Sequence, residues 1–301
     1  MKINRFLFGA VVAAMTMTSL SCGNLSESNN IDGDASNIVE NETVSNEISD
    51  DIDGELLYTY DGAELWYTGY NSGVGMKVNL VNKSDKNLKF NFEYLAVNNI
   101  ASYCSGFLSA KAGESDVSII NCGDTSNYEL RMFESDEFTN VSLYVFCYDS
   151  DSNELLDVSD IITFNTDGSD EVSSEYNGEE IYDSDGIKIY YSGYYNDDSD
   201  INKYEYTRFE IVNDTDECIT VYSDTVEYDG IPVDMYMDNL SYQGIQITPD
   251  CKGYGYIYTS KTTRDKYEIE DSNNISISFD IKTGVNEDSN TKTDMINIVR
   301  K

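Results

Sequence analysis

Residues 54–70, GELLYTYDGAELWYTGY, recur in the same chain as residues 178–194, GEEIYDSDGIKIYYSGY. Eight of the 17 aligned positions are identical, and the two stretches lie 124 residues apart. Self-similarity at so long a spacing indicates duplicated domains, because solenoid repeats are much shorter. We therefore predict that one domain sequence is present twice.

Weaker matches extend the duplication along the chain. Residues 81–85, VNKSD, match residues 212–216, VNDTD, at a spacing of 131, so the second copy has a seven-residue insertion around residues 195–203. A third set of matches has a spacing of 134 and pairs Val141, Leu143 and Val145 with Ile275, Ile277 and Phe279. The predicted domains cover residues 54–165 and 178–301, and the linker of residues 166–177 holds four acids and no base.

Alternation of apolar and polar residues predicts β-strands in both copies. Residues 275–281, ISISFDI, are the clearest case, since every second side chain of a strand lies on one face. Asp-Gly pairs favour tight turns, and no segment has a convincing helical period. The seven strands predicted in the first copy cover residues 56–69, 75–82, 88–97, 100–109, 115–121, 140–148 and 159–165. So many short strands predict an all-β fold of two antiparallel sandwiches, because a single sheet would leave one apolar face in water.

Two short motifs resemble those of cell-surface lipoproteins of anaerobic Gram-positive bacteria that carry immunoglobulin-like β-sandwich domains. A DG-apolar-x-apolar strand occurs at residues 61–65 and 185–189, and an N-x-[ST]-D turn occurs at residues 82–85 and 213–216. The resemblance implies tandem immunoglobulin-like domains at the cell surface. It implies no catalytic residue.

The N-terminus is typical of an export signal. Basic residues precede an apolar run over residues 6–15, which is too short to span a bilayer. Residues 19–22, SLSC, resemble the lipobox of bacterial lipoproteins, although Ser19 stands where that motif prefers Leu. The resemblance implies a signal peptide over residues 1–21 and acylation of Cys22 by palmitate-type chains, which would hold the protein in the lipid bilayer. The alternative is ordinary secretion with cleavage nearby.

The charge of the chain excludes several classes of partner. It has 19 Lys and Arg, 56 Asp and Glu, a net charge of −37 and no His. Removal of the signal would make the net charge −39, and residues 22–53 carry nine acids and no base, as expected of a disordered, flexible tether. Such a chain repels nucleic acid, and without His it has no His-dependent catalytic triad or zinc site. No cofactor is predicted.

Five cysteines remain besides Cys22. Disulfides persist outside the cytoplasm, and the order of strands and turns brings two pairs of cysteines near each other. The candidate disulfides are Cys218 with Cys251 and Cys104 with Cys122. Cys147 continues the apolar positions of its strand, so we predict a buried thiol.

One acidic loop has part of a calcium-binding pattern. Asp149, Asp151 and Asn153 place side-chain oxygens at alternate positions, which suits calcium. Glu154 occupies the position at which an EF-hand loop needs Gly, and the flanking residues are predicted strands. The pattern therefore favours a solvated hairpin loop without a metal, and calcium is the alternative.

Clustered aromatic residues are the candidates for ligand contacts. Tyr and Trp are common at interfaces, where they present an apolar ring with a polar edge, and they also stack on sugars. The alternative is that strand periodicity places every second ring in the core. The candidates are Trp66, Tyr67, Tyr70, Tyr191, Tyr194 and Tyr195.

Together these features predict a membrane-anchored extracytoplasmic lipoprotein that is not an enzyme. We expect a surface binding or interaction module whose partner is an envelope or extracellular protein or glycan. One alternative is an enzyme or accessory subunit acting on envelope carbohydrate, for which carboxylate pairs among 56 acids are too common to be diagnostic. The other is a calcium-stabilised structural spacer.

Overall fold

The computed structural model describes residues 52–71, 75–102, 104–122, 140–166, 178–197, 203–235, 237–238, 244–287 and 289–300. Cys22, the predicted signal peptide, most of the tether and most of the linker lie outside these residues. We refer to residues 54–165 as the first half and residues 178–300 as the second half.

The described residues form 22 strands and one helix. The strands of the first half are β1 Glu55–Tyr60, β2 Ala63–Asn71, β3 Gly75–Asn82, β4 Leu88–Val97, β5 Ile100–Ala101, β6 Cys104–Ser105, β7 Phe107–Ala110, β8 Ser115–Cys122, β9 Asn140–Asp149, β10 Leu155–Val158 and β11 Ile162–Asn165. The elements of the second half are β12 Glu179–Ser184, β13 Ile187–Asp197, β14 Tyr204–Asn213, β15 Ile219–Tyr228, β16 Ile231–Pro232, β17 Met237–Asp238, β18 Ile245–Ile247, β19 Cys251–Thr259, α1 Lys261–Tyr267, β20 Asn274–Thr283, β21 Ser289–Lys292 and β22 Ile296–Val299.

Each half is a β-sandwich, which confirms the predicted all-β fold. In the first half, a five-stranded sheet in the order β1-β2-β3-β8-β6 packs on β4, β7, β9, β10 and β11. In the second half, β12, β13, β14, β17 and β19 pack on a six-stranded sheet that contains β15 and β20. Phe90 in the first core and Phe209 and Phe279 in the second are fully buried. Burial of each such side chain contributes roughly 1.5–3 kcal/mol to folding.

The opening hairpins of the two halves have the same turn and the same register. The turn residues at 61–62 have φ angles of 46° and 85°, and those at 185–186 have φ angles of 53° and 82°. Positive φ at both positions defines the tight turn whose twist suits a two-residue hairpin, and an Asp-Gly pair accommodates it. Both hairpins also have a bulge at the same place, 124 residues apart. The duplication seen in the sequence is therefore a duplication of backbone geometry.

A buried asparagine ends the third strand of each half. The Asn213 amide nitrogen donates to the carbonyl oxygens of Glu217, Ile247 and Thr248 at 2.9–3.2 Å. Its Oδ1 accepts from the N–H and hydroxyl of Thr215 at 3.1 and 2.7 Å. Asn82 makes matching bonds with Lys86, Ala110 and Ser84. Because the amide is fully buried and satisfied, it ties the turn after one sheet to a strand of the other.

The two halves share one sheet. Ile100 of β5 pairs in parallel with Lys252 of β19, and this pairing joins strands of both halves into an 11-stranded sheet. Nearby, the Tyr94 hydroxyl lies 3.0 Å from the Thr220 hydroxyl, and Cys218 is buried against Tyr94. Backbone pairing and a buried contact therefore connect the halves, in addition to the chain between them.

The strand bounds differ from the prediction in three places. The single strand predicted over residues 56–69 is the hairpin of β1 and β2, because the turn at 61–62 interrupts it. The strand predicted over residues 100–109 is divided into β5, β6 and β7, and Gly106 has a φ of 135° at the second break. The short strand β10 forms where no strand was expected.

One short helix, α1, forms although no segment of the sequence has a convincing helical period. The Ser260 hydroxyl accepts from the N–H of Thr263 at 3.2 Å and caps the helix, and Glu268 ends it with a left-handed φ of 56°. A helix of two turns is too short for a periodic signal, so the caps decide its bounds. Among the described residues, no helix has both the length and the apolar character needed to cross a membrane.

A buried ion network attaches α1 to the second sandwich. One carboxylate oxygen of Glu205 in β14 lies 3.2 Å from Arg264 Nε as an ion pair, and the other accepts from Arg300 Nη2 at 2.7 Å. The three side chains are only 6–10% exposed. The Arg300 guanidinium also lies 4.0 Å from the centre of the Tyr194 ring. Glu205 therefore compensates two buried positive charges and joins β14, α1 and the end of the second half.

Replacing Glu205 by Gln should destabilise the protein by about 3–5 kcal/mol, because two guanidinium groups stay buried without a counter-charge. The free energy of unfolding of the full chain in urea measures this effect. The exposed Asp216→Asn is the matched control and should change stability by no more than about 0.5 kcal/mol. Equal stability of the two variants would show that the network is not needed.

Candidate ligand-binding face

Five tyrosines on the outer face of one sheet of the second half are in ring contact with one another, and we call them the tyrosine face. They are Tyr195 on β13, Tyr204 and Tyr206 on β14, and Tyr256 and Tyr258 on β19. Phe209 and Ile257 on the same strands point into the core, so alternation sends the tyrosines to the opposite side. The strand register then sets Tyr206 opposite both Tyr195 and Tyr258.

Tyr206 is the centre of a continuous set of ring contacts. Its ring centroid lies 5.4 Å from that of Tyr256 and 6.1 Å from those of Tyr204 and Tyr258. The distance to the ring of Tyr195 is 6.2 Å. Tyr206 and Tyr256 are 9% and 4% exposed, whereas Tyr258 is 39% exposed. The tyrosine face therefore has a buried base and a more accessible rim, formed by Tyr195, Tyr204 and Tyr258.

The first half forms the equivalent sheet without these rings. Tyr195 and Tyr206 pair with each other across β13 and β14. Asn71 and Gly75 form the equivalent pair across β2 and β3. Ile119 pairs with Lys77, and Tyr256 pairs with Arg208 at the equivalent place. The sandwich can therefore be built without tyrosine at these positions.

Arg208 lies on the tyrosine face, opposite Tyr256. Its Nη2 donates to the carbonyl oxygen of Ser192 at 3.4 Å. Its side chain passes over Gly193, which as a glycine has no side chain of its own. Its Nε is buried and has no hydrogen-bond partner. Within the described part of the chain, no carboxylate pairs with Arg208. Among the described residues, Ser192 is the one hydrogen-bond acceptor of Arg208.

An ion pair continues the same face toward the first half. Lys252 Nζ lies 3.3 Å from the carboxylate of Glu210, and the two side chains are 10% and 0% exposed. Burial alone would lower the pKa of Lys252, but Tyr254 and Glu210 outweigh burial and raise it above its ordinary value. Lys252 therefore stays charged and is paired with the Glu210 carboxylate.

The structure places the predicted aromatic residues of the second half in three different settings. Tyr195 belongs to the tyrosine face. Tyr191 is 5% exposed and lies in the core, where its ring is 6.4 Å from that of Phe209. Tyr194 stacks with Arg300 at the ion network. Alternation separates Tyr195 from Tyr194, whereas Tyr191 and Tyr194 both lie on the core side but at different places along the strand, with a bulge between them.

The predicted aromatic residues of the first half are also separated from one another. The Trp66 indole N–H donates to Glu64 at 3.3 Å. Tyr67 packs on Phe164 with ring centroids 4.8 Å apart, and Tyr70 packs against the first core. Trp66, Tyr67 and Tyr70 therefore do not form a common face with Tyr195.

Sequence reasoning did not single out Tyr204, Tyr206, Tyr256, Tyr258 and Arg208. A signal was present, since residues 254–258 read YGYIY and place Tyr at every second position. In a strand this spacing puts the rings on one face. The structure adds that β14 and β19 are neighbouring strands. This pairing brings the tyrosine rings of the two strands together.

The candidate calcium loop is an ordinary hydrogen-bonded turn. The Asp149 carboxylate accepts from the backbone N–H of Ser152 and Asp151 at 2.8 and 2.9 Å, and these bonds lower its pKa. The Asn87 amide donates to Asp151 at 3.0 Å, and Asn153 closes the turn with a φ of 62°. Among the described residues, no group of three acidic or thiol side chains is arranged to hold a metal.

The predicted disulfide between Cys218 and Cys251 is not formed, since both are buried free thiols. Ile219 points into the second core, so its neighbour Cys218 points outward and packs on Tyr94 of the first half. Cys251 lies in the second core. Both cysteines are near one end of the sandwich as expected, but alternation puts their side chains on different faces. Burial raises the pKa of Cys218 to about 11, which leaves it unreactive at neutral pH.

Cys147 is fully buried in the first core, which confirms its predicted place. Burial raises the pKa of its thiol to about 12. The thiol is therefore protonated and inert under ordinary conditions.

Cys104 and Cys122 stand directly opposite each other on the antiparallel strands β6 and β8. Residues opposite in such a pair have Cα atoms about 4.5–5.5 Å apart, which is within the range for a disulfide. The prediction that these two cysteines form a disulfide therefore stays open.

A Cys104–Cys122 disulfide should stabilise the protein by about 2–4 kcal/mol, because it restricts the unfolded chain. Cys104→Ser and reduction of the wild-type protein should lower the free energy of unfolding equally. Peptide mapping without reduction should show the cross-linked peptide. A map in which both thiols are alkylated directly would contradict the prediction.

A groove of about 620 Å³ separates edge strand β1 from residues 157–163 in the first half. The Tyr58 hydroxyl donates to the carboxylate of Asp157 and so links the edges of the two sheets. Burial raises the pKa of Tyr58 far above its ordinary value, so the hydroxyl remains a donor at neutral pH. We interpret this hydrogen bond as a structural link that holds the edges of the two sheets together.

Comparisons with known proteins identify no family. No protein-family model matches the chain, and neither does any curated protein. Among solved structures, the YadV chaperone is 12% identical with a TM-score of 0.24, and the match covers 77% of this chain and 100% of the chaperone. The exo-chitosanase CsxA of Amycolatopsis orientalis has the same identity and TM-score, and the match covers 77% of this chain but 26% of the enzyme. A Porphyromonas gingivalis W83 protein of unknown function is 10% identical with a TM-score of 0.21, over 79% of this chain and 99% of that one. Similarities at these TM-scores carry no argument about function.

Proposed function

We propose that the protein is a lipid-anchored extracytoplasmic binding protein that holds its ligand on the tyrosine face and carries out no reaction. The N-terminal sequence supports export and acylation of Cys22. The observation that carries the binding role is the difference between the halves. The second half has five tyrosines in ring contact where the same sheet of the first half has residues such as Gly75 and Ile119.

The position and exposure of the rings support a binding role over a purely structural one. They lie on the outer face of the sheet, and Tyr258 leaves 39% of its surface accessible. Tyrosine offers a large apolar ring and a hydroxyl while losing little conformational entropy, which makes it a common contact residue. Contact with Tyr206 and Tyr256 holds the rim in place before any ligand arrives.

The absence of histidine from the sequence supports a role without catalysis. Histidine is the usual general acid or base at neutral pH. The two carboxylates described on β14 are also occupied, because Glu210 pairs with Lys252 and Glu205 pairs with two arginines.

The anchor can be tested with labelled palmitate. Cells that produce the wild-type protein should incorporate the label into it, and Cys22→Ser should abolish incorporation, because Cys22 is the proposed acceptor. Cys147→Ser is the matched control and should retain the label, since that thiol is buried. Label that persists in Cys22→Ser would refute the anchor.

The binding role can be tested by co-sedimentation with a delipidated cell-envelope fraction, which removes any bilayer that the acylated N-terminus could enter. The full chain in mild detergent should sediment with this fraction. The double variant Tyr204→Ser and Tyr258→Ser should bind at least about tenfold more weakly, because it removes two rim rings.

The matched control for this experiment is Val117→Ser with Ile119→Ser. These residues are 39% and 42% exposed, and they lie on the equivalent outer face of the first half. The control should bind like the wild-type protein. If the tyrosine variant also binds like the wild-type protein, the proposed function is wrong.

A further inference from the structure

We propose that the tyrosine face binds a neutral oligosaccharide, an inference that rests on the proposed binding function. Sugar rings stack on the rim formed by Tyr195, Tyr204 and Tyr258, and Arg208 donates hydrogen bonds to sugar hydroxyls. The shape of the face, its size, its charge and the state of Arg208 each support this assignment.

The shape of the face suits a short chain of sugar rings. Its tyrosines come from three neighbouring strands, β13, β14 and β19, which lie about 4.8 Å apart in a sheet. The rim rings are held 6.1–6.2 Å from the ring of Tyr206. A pyranose has an apolar C–H face and a hydroxyl edge, and tyrosine presents the matching combination of ring and hydroxyl.

The accessible area favours a small ligand over a protein. A stable protein–protein interface buries about 1,200–2,000 Å² in total. A tyrosine side chain offers about 150–250 Å² when fully exposed, and Tyr258 is 39% exposed. With Tyr195 and Tyr204 also half-buried, the rim supplies on the order of 200 Å². This area matches a few sugar units.

The charges favour a neutral ligand. Glu210 is committed to Lys252, and Glu205, on the core side of β14, is committed to two arginines. The two carboxylates described on β14 are therefore both paired, and neither is available to a cationic ligand. A polyanion would approach against the net charge of −37 on the chain. A neutral sugar meets neither obstacle.

Arg208 supplies the polar recognition. It is not paired with any carboxylate of the described residues, and its buried Nε lacks an acceptor. Arg208 is partly exposed, so its Nη nitrogens, rather than the buried Nε, are the donors available to ligand oxygens. Lys77, its counterpart in the first half, has no tyrosine rings beside it in the register.

The test uses the same co-sedimentation of the full chain with delipidated envelope. Periodate, which cleaves the vicinal diols of sugars, should abolish binding, and exhaustive protease treatment of the envelope should leave binding intact. Binding should change little between about 0.05 M and about 0.5 M NaCl, because a neutral ligand makes no ion pair to be screened. Arg208→Gln should weaken binding about tenfold, and the matched control Lys77→Gln should not.

The outcomes distinguish failure of the sugar assignment from failure of the proposed binding function. If protease abolishes binding and periodate does not, the ligand is a protein and the sugar assignment is overturned, while the proposed binding function stands. If about 0.5 M NaCl abolishes binding, the ligand is charged and its assigned neutrality is wrong. If Arg208→Gln binds like Lys77→Gln, Arg208 has no part in recognition. Failure of the Tyr204 and Tyr258 variant to lose binding overturns both proposals.

Discussion

The buried side-chain amide of Asn213, repeated as Asn82 in the first half, is the constraint on which the rest of each sandwich depends. Its nitrogen is held by carbonyl oxygens across the sandwich and its oxygen by the turn that follows it. Because a buried amide must satisfy its hydrogen bonds, this residue sets the distance and alignment of the two sheets at one end. Strand alternation then decides which side chains enter the core and which, like Tyr206, face outward.

Duplication of this framework allowed the outer faces of the two halves to differ. Tyr144, Phe146 and Tyr148 on the outer face of β9 pack at the junction with the second half. The equivalent residues of β20, at a spacing of 134, are Ser278, Asp280 and Lys282. A polar face needs no covering layer, so the apolar docking surface of the first half is not repeated in the second. The tyrosine face is the reverse case, in which the second half has the aromatic surface and the first half does not.

Much of the fold could be predicted from local patterns. The Asp-Gly turns at 61–62 and 185–186, the alternation over residues 275–281 and the buried place of Cys147 all depend on neighbours in the sequence. The sequence patterns missed the orientation of Cys218 and the helix α1, and both misses have one cause. The orientation of Cys218 depends on which face of β15 meets the core, and the short helix α1 depends on a cap and a buried ion network that joins residues 205, 264 and 300. Neither is a property of a single segment.

By itself, the sequence determined a duplicated β-sandwich in which both halves have the same Asp-Gly turn. Strand periodicity and the positive φ of such a turn depend on only a few neighbouring residues. It also determined a strongly acidic chain that has no histidine. Only the tertiary structure decided that Tyr195, Tyr206 and Tyr258 meet on one face, and that β5 and β19 join the halves. These contacts depend on the register between strands that are distant in the chain, and that register is set by packing of the whole sandwich.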